Sequence, residues 1–146
     1  MQVKMIANTK DSALYTISKN SSIHEAITKL TEFKIGALLV MEGKTVDGII
    51  SERDILNVCS RCQSDNVCSI KVSEIMTTNV VFAEMDDDLM EVMEVMRHRH
   101  IRHLPLRSNG EVTGMVSMRD VNSTLLDAMS DENEQLVNYI TGRYVT

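Results

Sequence analysis

The chain has few aromatic residues, cysteines or prolines. Its 146 residues include three tyrosines, two phenylalanines, no tryptophan, three cysteines and one proline. An odd cysteine count is a poor basis for a disulfide framework and favours a reducing compartment. Eleven methionines partly replace the missing aromatic rings, which predicts a core packed by unbranched, flexible side chains.

Long apolar runs and excess positive charge are also missing. The longest apolar run, residues 35–41, is far shorter than a membrane-spanning helix, and Met1–Met5 does not open an apolar signal segment. The net charge is −6 and the isoelectric point about 5.2, so the chain as a whole repels nucleic acids and anionic membranes. We therefore expect a cytoplasmic protein with neither a nucleic-acid nor a membrane partner.

The chain does contain an internal repeat with an offset of 66 residues. The segment Gly48–Asp54, GIISERD, returns at Gly114–Asp120 as GMVSMRD. The same offset carries the apolar positions of residues 23–30 onto those of residues 89–96. A repeat of this size indicates two copies of one supersecondary unit. Two copies predict a pseudo-twofold module with equivalent sites at a shared interface.

Each copy is predicted to contain a strand, a helix, two further strands and a second helix. Ser21 or Ser22 is a predicted N-cap before residues of helical spacing, and an Asn-Gly dipeptide at Asn109 predicts a hairpin turn. The expected fold is a mixed α/β (α+β) structure of two packed repeats. The predicted strands are 14–17, 35–41, 46–50, 80–83, 101–106 and 112–116, and the predicted helices begin at or near residues 22, 52, 88 and 118.

The repeat divides the chain into three parts. Residues 1–69 hold the first repeat with an N-terminal segment and a polar linker, residues 70–126 the second repeat, and residues 127–146 a helical tail. We expect a short amphipathic helix in this tail, packed back on the module or across a dimer. Its apolar positions are Leu136, Val137 and Ile140.

Both copies keep a Ser-x-x-Asp motif on an otherwise apolar frame, as Ser51 with Asp54 and as Ser117 with Asp120. One explanation is structural, because serine is a favoured N-cap and a carboxylate in the first turn complements the helix dipole. The other is a nucleotide clamp, in which the helix N-terminus and the serine bind a phosphate and the aspartate accepts hydrogen bonds from the ribose hydroxyls. Two copies at one offset favour the clamp.

These motifs resemble the cystathionine-β-synthase (CBS) domain, and the tandem pair resembles the Bateman module of stand-alone bacterial signal-transduction proteins. The resemblance covers residues 3–126 and implies two clefts for adenosine-containing ligands (AMP, ATP or NAD(H)), no catalytic cofactor and a disc-like homodimer. The matching segments are Met76-Thr77, Arg102–Leu106 and Gly114–Asp120 in the second copy, with Lys34–Ala37 and Gly48–Asp54 in the first.

By that resemblance, each cleft combines the end of one copy with the entry strand of the other. Arg102 and His103 stand where the first copy has Gly36 and Ala37, so we expect tighter phosphate binding in the second cleft. The first cleft is expected to contain Ile35, Gly36, Ala37, Ser51, Asp54, Thr78, Asn79 and Val80. The second is expected to contain Tyr15, Thr16, Ile17, Arg102, His103, Pro105, Ser117, Arg119 and Asp120.

Two other clusters suggest the alternative of a thiol- or metal-dependent redox protein. The run His98–His103 holds three histidines, and Cys59 and Cys62, followed by Cys68, have the spacing of a redox or metal element. The histidines lack an obvious further ligand, and the second copy has no cysteine. We therefore expect no metal site, a basic helix–strand junction that is partly recruited for phosphate binding, and incidental, reduced cysteines.

The expected function is that of a regulatory sensor and not of an enzyme. The chain has neither a Walker loop nor a GxGxxG motif. A Ser/Asp pair that repeats symmetrically suits binding, whereas catalytic centres need unlike groups with different pKa values. The signal is then a change of shape or of dimer surface, presented to an unknown effector protein. A structural dimerisation module with vestigial clefts is a further alternative.

Overall fold

The computed structural model describes residues 1–9, 14–62 and 66–142, and for residues 7–9 it describes the backbone alone. Residues 63–65 of the predicted linker and 143–146 of the predicted tail lie outside the described residues. The helices are α1 (Lys4–Thr9), α2 (Ile23–Phe33), α3 (Glu52–Arg61), α4 (Val72–Ile75), α5 (Leu89–Arg99) and α6 (Met118–Ile140). The strands are β1 (Thr16–Ile17), β2 (Ala37–Glu42), β3 (Thr45–Ser51), β4 (Ala83–Glu84), β5 (His103–Ser108) and β6 (Glu111–Ser117).

Each repeat forms one three-stranded sheet. In the first sheet β1 is parallel to β2 and β2 is antiparallel to β3, and β4, β5 and β6 repeat this arrangement. Ala37 pairs with Ser51 in the first sheet, and His103 pairs with Ser117 in the second. These pairs are related by the offset of the sequence repeat. The predicted α+β fold of two strand-helix-strand-strand-helix repeats is confirmed.

The first long helix of each repeat has the same kind of boundaries. α2 begins after Ser22, whose hydroxyl accepts a hydrogen bond from the backbone N–H of Glu25 (3.1 Å), and α5 begins after the N-cap Asp88. Both helices end at a residue of left-handed conformation, Lys34 (φ 53°) and His100 (φ 54°). These turns lead the chain directly into β2 and β5, whose first residues lie next to the cavity described below.

The segment that precedes each repeat packs against the other repeat. Val3 and Ile6 lie in the hydrophobic core of the second repeat, and Val3 N–H donates to Asp87 O over 3.0 Å. Val72 lies in the core of the first repeat, and its N–H donates to Ser21 O over 2.8 Å. Each core is thus completed by a segment from the opposite half. The sequence division at residue 69 follows the repeat, whereas the packing crosses it.

The C-terminal helix is longer and more continuous than predicted. α6 runs for 23 residues without a break, whereas the sequence indicated a separate short helix beyond residue 126. Residues 118–140 contain no glycine or proline to end the helix, and Gly142 adopts a positive φ (69°) just after it. Within the described part of the chain, no helix is both long enough and apolar enough to span a membrane.

Candidate functional site

The repeated Ser-x-x-Asp forms a capping box at the start of α3 and of α6. Ser51 N–H donates to Oδ2 of Asp54 (2.9 Å), and Asp54 N–H donates to Oγ of Ser51 (3.3 Å). Ser117 and Asp120 make the same two bonds, at 3.0 and 3.1 Å. The structural explanation of the motif is therefore correct in both copies. The box also fixes each carboxylate at a helix N-terminus, where the helix dipole favours an anion.

A cavity of about 520 Å³ lies at the N-terminus of α3, between the two repeats. Its volume falls within the range of small-molecule sites, roughly 300–1,000 Å³. The first repeat contributes Gly36, Ile49, Ser51, Glu52, Arg53 and Asp54. The segment before β4 contributes Thr77, Asn79, Val80 and Val81, and the second repeat contributes Arg99, His100, Ile101, Arg102, His103, Leu104 and Pro105.

The segment before β4 forms one wall of the cavity by pairing with β3. Ile49 N–H donates to Thr77 O (3.0 Å), and Thr77 N–H donates to Ile49 O (2.9 Å). Gly48 permits this close approach, because a Cβ at this position would lie 2.6 Å from Thr77 O. Asn79 and Val80 follow the pairing and line the cavity.

Only some of the residues that were predicted for the first cleft line the cavity at α3. Ala37 is buried in β2, Ile35 packs against the first core, and Thr78 is exposed without lining the cavity. The binding role of the whole set stays a prediction. The predicted residues that line the cavity are Gly36, Ser51, Asp54, Asn79 and Val80.

Three residues that the sequence assigned to the second cleft, Arg102, His103 and Pro105, line this same cavity. The reason is the packing of the repeats, which brings the start of β5 against the segment before β2. A Cβ on Gly36 would lie 2.8 Å from Cε1 and Nε2 of His103. The repeat offset shows that Gly36 and Arg102 are equivalent, but it cannot show that their two segments are neighbours.

Neither predicted cleft included three further basic residues of the cavity: Arg53, Arg99 and His100. Arg53 Nη1 donates to the backbone oxygen of His100 (2.9 Å), so a side chain of the first repeat is bonded to the second. The repeated segments Gly48–Asp54 and Gly114–Asp120 both end in Arg-Asp, and this shared ending could have indicated Arg53 as a site residue. The other two belong to the basic run before β5, which the sequence indicated as a helix–strand junction partly recruited for phosphate.

Sequence and structure are both similar to known proteins. The family model named CBS domain matches residues 6–61 and 72–127. The chain belongs to the CBS-domain family. A 17.7 kDa protein of Acidianus ambivalens is 35% identical to it over 128 residues, which are 86% of this chain and 74% of that protein.

Two solved structures share the tandem arrangement of this CBS pair. The CBS-domain containing protein ATU1752 from Agrobacterium tumefaciens is 32% identical, with a TM-score of 0.79 over 84% of this chain and 91% of that chain. The CBS domain pair of protein MJ0100, in complex with 5′-methylthioadenosine and S-adenosyl-L-methionine, is 26% identical. Its TM-score is 0.72, over 88% of this chain and 98% of that chain.

The entry strand predicted for the second cleft, residues 15–17, makes contacts within the first repeat of the CBS pair. The ring of Tyr15 stacks on Phe33 with centroids 4.5 Å apart, and Thr16 O accepts a hydrogen bond from Lys29 Nζ (2.8 Å). Ile17 is buried in the first core. This strand therefore supports the sheet of the first CBS repeat.

The remaining predicted residues of the second cleft lie at the N-terminus of α6. Ser117 and Asp120 form the capping box there, and Arg119 is exposed. None of the three lines the cavity at α3. The segment equivalent to residues 77–79 is residues 11–13, which the structure does not describe. The role of the second cleft stays a prediction.

Within the described residues, the histidine, cysteine and acidic side chains of the CBS pair form no cluster suited to a metal ion. Glu94 accepts a hydrogen bond from Arg97 (2.7 Å) and lies 3.6 Å from His98 Nε2. The hydrogen bond from Arg97 holds the pKa of Glu94 below its usual value. The free cysteines are Cys59, Cys62 and Cys68.

Proposed function

We propose that this CBS pair is a regulatory module that binds an adenine nucleotide in the cavity at α3. The observation that carries the proposal is the composition of this cavity, which joins the Ser51–Asp54 box of one repeat to Arg102 and His103 of the other. The MJ0100 pair holds two adenosine-containing ligands on the same fold. That similarity supports the same class of ligand here.

Asp54 is the residue that we expect to bind the ribose. Its Oδ2 accepts hydrogen bonds from the backbone N–H (2.9 Å) and the hydroxyl (3.1 Å) of Ser51. An ionised carboxylate has two oxygens and about four acceptor sites, so Oδ1 remains for the vicinal hydroxyls of a ribose. The capping box thus orients the carboxylate before a ligand arrives, which lowers the entropy cost of binding.

The charge of the cavity favours a nucleotide that carries phosphate. Arg53, Arg99 and Arg102 provide three guanidinium groups, against the carboxylates of Glu52 and Asp54. Arginine binds phosphate with two parallel hydrogen bonds and stays charged at all physiological pH values. We therefore expect AMP, ATP or NAD(H) to bind more tightly than the cationic S-adenosylmethionine.

We infer that the site binds its ligand without transforming it. The Ser–Asp pair has the same capping geometry in both repeats. A catalytic centre needs an acid and a base with different pKa values, and two identical pairs do not provide them. The output is then a ligand-dependent shape or dimer surface that an effector protein recognises. We propose a homodimer as the acting form, and the three free cysteines suit the reducing cytoplasm.

A thermal-shift screen tests this function. The ligands are AMP, ADP, ATP, NAD, NADH and S-adenosylmethionine. The variants are Asp54→Asn, which alters the cavity at α3, and Asp120→Asn, which removes the same charge from the other capping box, outside that cavity. A ligand at about 100 times its dissociation constant stabilises the folded state by about 2.7 kcal/mol, which is a shift of several degrees for a domain of this size. The comparison uses the ligand-induced shift within each variant, because loss of the carboxylate also weakens the cap.

We expect a phosphate-bearing nucleotide to raise the melting temperature of the wild type and of Asp120→Asn, and to have a much smaller effect on Asp54→Asn. Nucleotide-free wild-type protein that no ligand stabilises would contradict the proposed function. It would favour a structural module with vestigial clefts.

A further inference from the structure

The left-handed turn at the end of α5 lies at the cavity and is bonded to the first repeat. His100, at the C-cap of α5, has a positive φ (54°) and lines the cavity. Its backbone oxygen accepts a hydrogen bond from Nη1 of Arg53, which is 2.9 Å away. Arg53 belongs to the first turn of α3, so this bond joins the start of one helix to the end of another across the two repeats.

The position of the His100 carbonyl depends on the left-handed turn. Ile101 N–H donates to Met96 O (3.0 Å) and His100 N–H donates to Arg97 O (3.4 Å), which are the two bonds of a Schellman motif. Glycine adopts such a turn without steric cost, whereas a β-branched residue at positive φ is strained. The turn therefore fixes the direction of this carbonyl, and a side chain that disfavours positive φ would move it.

The bond also suits the charges at the two helix ends. Arg53 follows the N-cap Ser51 by two positions, where the dipole of α3 disfavours a cation. The C-terminus of α5 carries the opposite end of a helix dipole, which favours a cation. The guanidinium of Arg53 is thus attracted towards His100 and away from its own helix.

Arg53 has further donors for a ligand. A guanidinium has five N–H groups in a planar fork, and the bond to His100 uses one of them. The Nε and Nη2 groups of Arg53 donate to no described residue, so this edge can form two parallel hydrogen bonds with a phosphate. Because Arg53 is exposed, its orientation before a ligand arrives lowers the entropy cost of binding.

We infer that His100 is a positioning residue whose backbone carbonyl orients Arg53 towards the phosphate of the ligand. His100 acts through its left-handed backbone, and its imidazole is not required. This inference rests on the proposed function, because it concerns the same cavity. It adds the group that prepares one of the arginines for phosphate.

The equivalent turn of the first repeat provides a control. Lys34 ends α2 with a φ of 53°, and Ile35 N–H donates to Leu30 O (3.1 Å), so the left-handed turn is repeated. Arg119 is the equivalent of Arg53, and among the described residues it makes no hydrogen bond to Lys34 O. Lys34 does not line the cavity at α3. Strain at Lys34 therefore tests the turn without the arginine.

The test compares the affinities of AMP and adenosine, which differ by the phosphate alone, by isothermal titration calorimetry of the full chain. The ratio of the two dissociation constants measures what the phosphate contributes. His100→Val disfavours positive φ, whereas His100→Gly keeps the turn and removes the imidazole. We expect His100→Val to lower the preference for AMP about three- to tenfold, the effect of no longer holding one long side chain in place, and His100→Gly to keep that preference.

Two further variants separate this role from a general loss of stability. Lys34→Val should lower the melting temperature through the same backbone strain but leave the preference for AMP unchanged. In the Arg53→Ala background, His100→Val should have no further effect on the preference. If His100→Val does not fold, His100→Ala gives the same comparison with less strain, since alanine is also disfavoured at positive φ.

An unchanged preference for AMP in His100→Val would overturn the inference. An equal loss in His100→Gly would also overturn it, because the effect would then belong to the imidazole, and so would a loss that persists in the Arg53→Ala background. A wild type that binds neither AMP nor adenosine would contradict the proposed function and the positioning role with it. A wild type that binds AMP with a preference that no His100 variant alters would contradict the positioning role alone.

Discussion

The ring of His103 fills the space beside Gly36. A Cβ on Gly36 would lie 2.8 Å from both Cε1 and Nε2 of that ring, although the two residues belong to different repeats. Both residues line the cavity at α3. The absence of a side chain in one copy thus admits the basic side chain of the other, and the two repeats make one site together.

Gly36→Ala tests this contact. The backbone of Gly36 does not adopt a positive φ, so the added methyl group affects the protein mainly by displacing the His103 ring. We expect a loss of about 1–2 kcal/mol in the free energy of unfolding and weaker nucleotide binding. The measurement is urea unfolding of Gly36→Ala, His103→Ala and the double variant.

In the double variant the displaced ring is gone, so Gly36→Ala should cost almost nothing in the His103→Ala background. The expected coupling between the two substitutions is therefore about 1–2 kcal/mol, the whole cost of Gly36→Ala in the wild type. Strictly additive effects would show that the two residues do not compete for the same space.

Arg53 links the two repeats through its hydrogen bond to His100 O (2.9 Å). Arg53→Ala should lower the free energy of unfolding by about 0.5–1 kcal/mol, because the bond is exposed, and should also weaken binding of a phosphate-bearing ligand. Arg119→Ala is the matched control for stability. Arg119 is exposed at the position equivalent to Arg53, and among the described residues it makes no hydrogen bond to the backbone oxygen of Lys34, the equivalent of His100. Urea unfolding of both variants and ligand titration of Arg53→Ala check this, and equal losses of stability at the two positions would contradict it.

The fold could be predicted from the sequence because each predicted element of one repeat has a counterpart in the other at the same offset. Gly48 and Gly114, each followed by two apolar residues and then serine, mark the same strand-to-helix turn, and the structure forms it in both repeats. The length of α6 was underestimated for the same reason. The helix α6 extends beyond the point that corresponds to the end of α3, so the repeat gives no information on where α6 ends.

The composition of the cavity could be predicted only in part. An offset identifies equivalent residues, such as Gly36 and Arg102, but it does not say which segments pack side by side. His103 and Arg53 reach the cavity through contacts between repeats, and these depend on the three-dimensional packing. Val3 packs in the core of the second repeat and Val72 in the core of the first, and the repeat offset could not predict this packing either.

The N-cap of α5 predicts a contribution to stability that is lost in acid. The hydrogen bond from Met90 N–H (2.8 Å) and the N-terminal ammonium of Met1 (3.5 Å) lower the pKa of Asp88 below its usual value of 3.8. A carboxyl group whose pKa is lower in the folded state stabilises that state above the unfolded pKa. The contribution disappears as the pH falls through the folded pKa.

Asp88→Asn keeps a good N-cap acceptor but removes the charge. We expect this variant to unfold more easily than the wild type near neutral pH and to approach the wild type as the pH falls below the folded pKa. Urea unfolding at a series of pH values checks this, and a difference that stays constant down to acidic pH would contradict it.

The central claim is that Asp54 holds the ribose of an adenine nucleotide in the cavity between the repeats. Isothermal titration calorimetry with the tightest binder among AMP, ATP and NADH tests it on the wild type, Asp54→Asn and Asp120→Asn. Hydrogen bonds to a charged group contribute about 1.5–3 kcal/mol, so we predict that Asp54→Asn weakens binding at this site about tenfold or more, and that Asp120→Asn leaves that affinity unchanged. Asp54→Asn binding the nucleotide as tightly as the wild type would contradict the account.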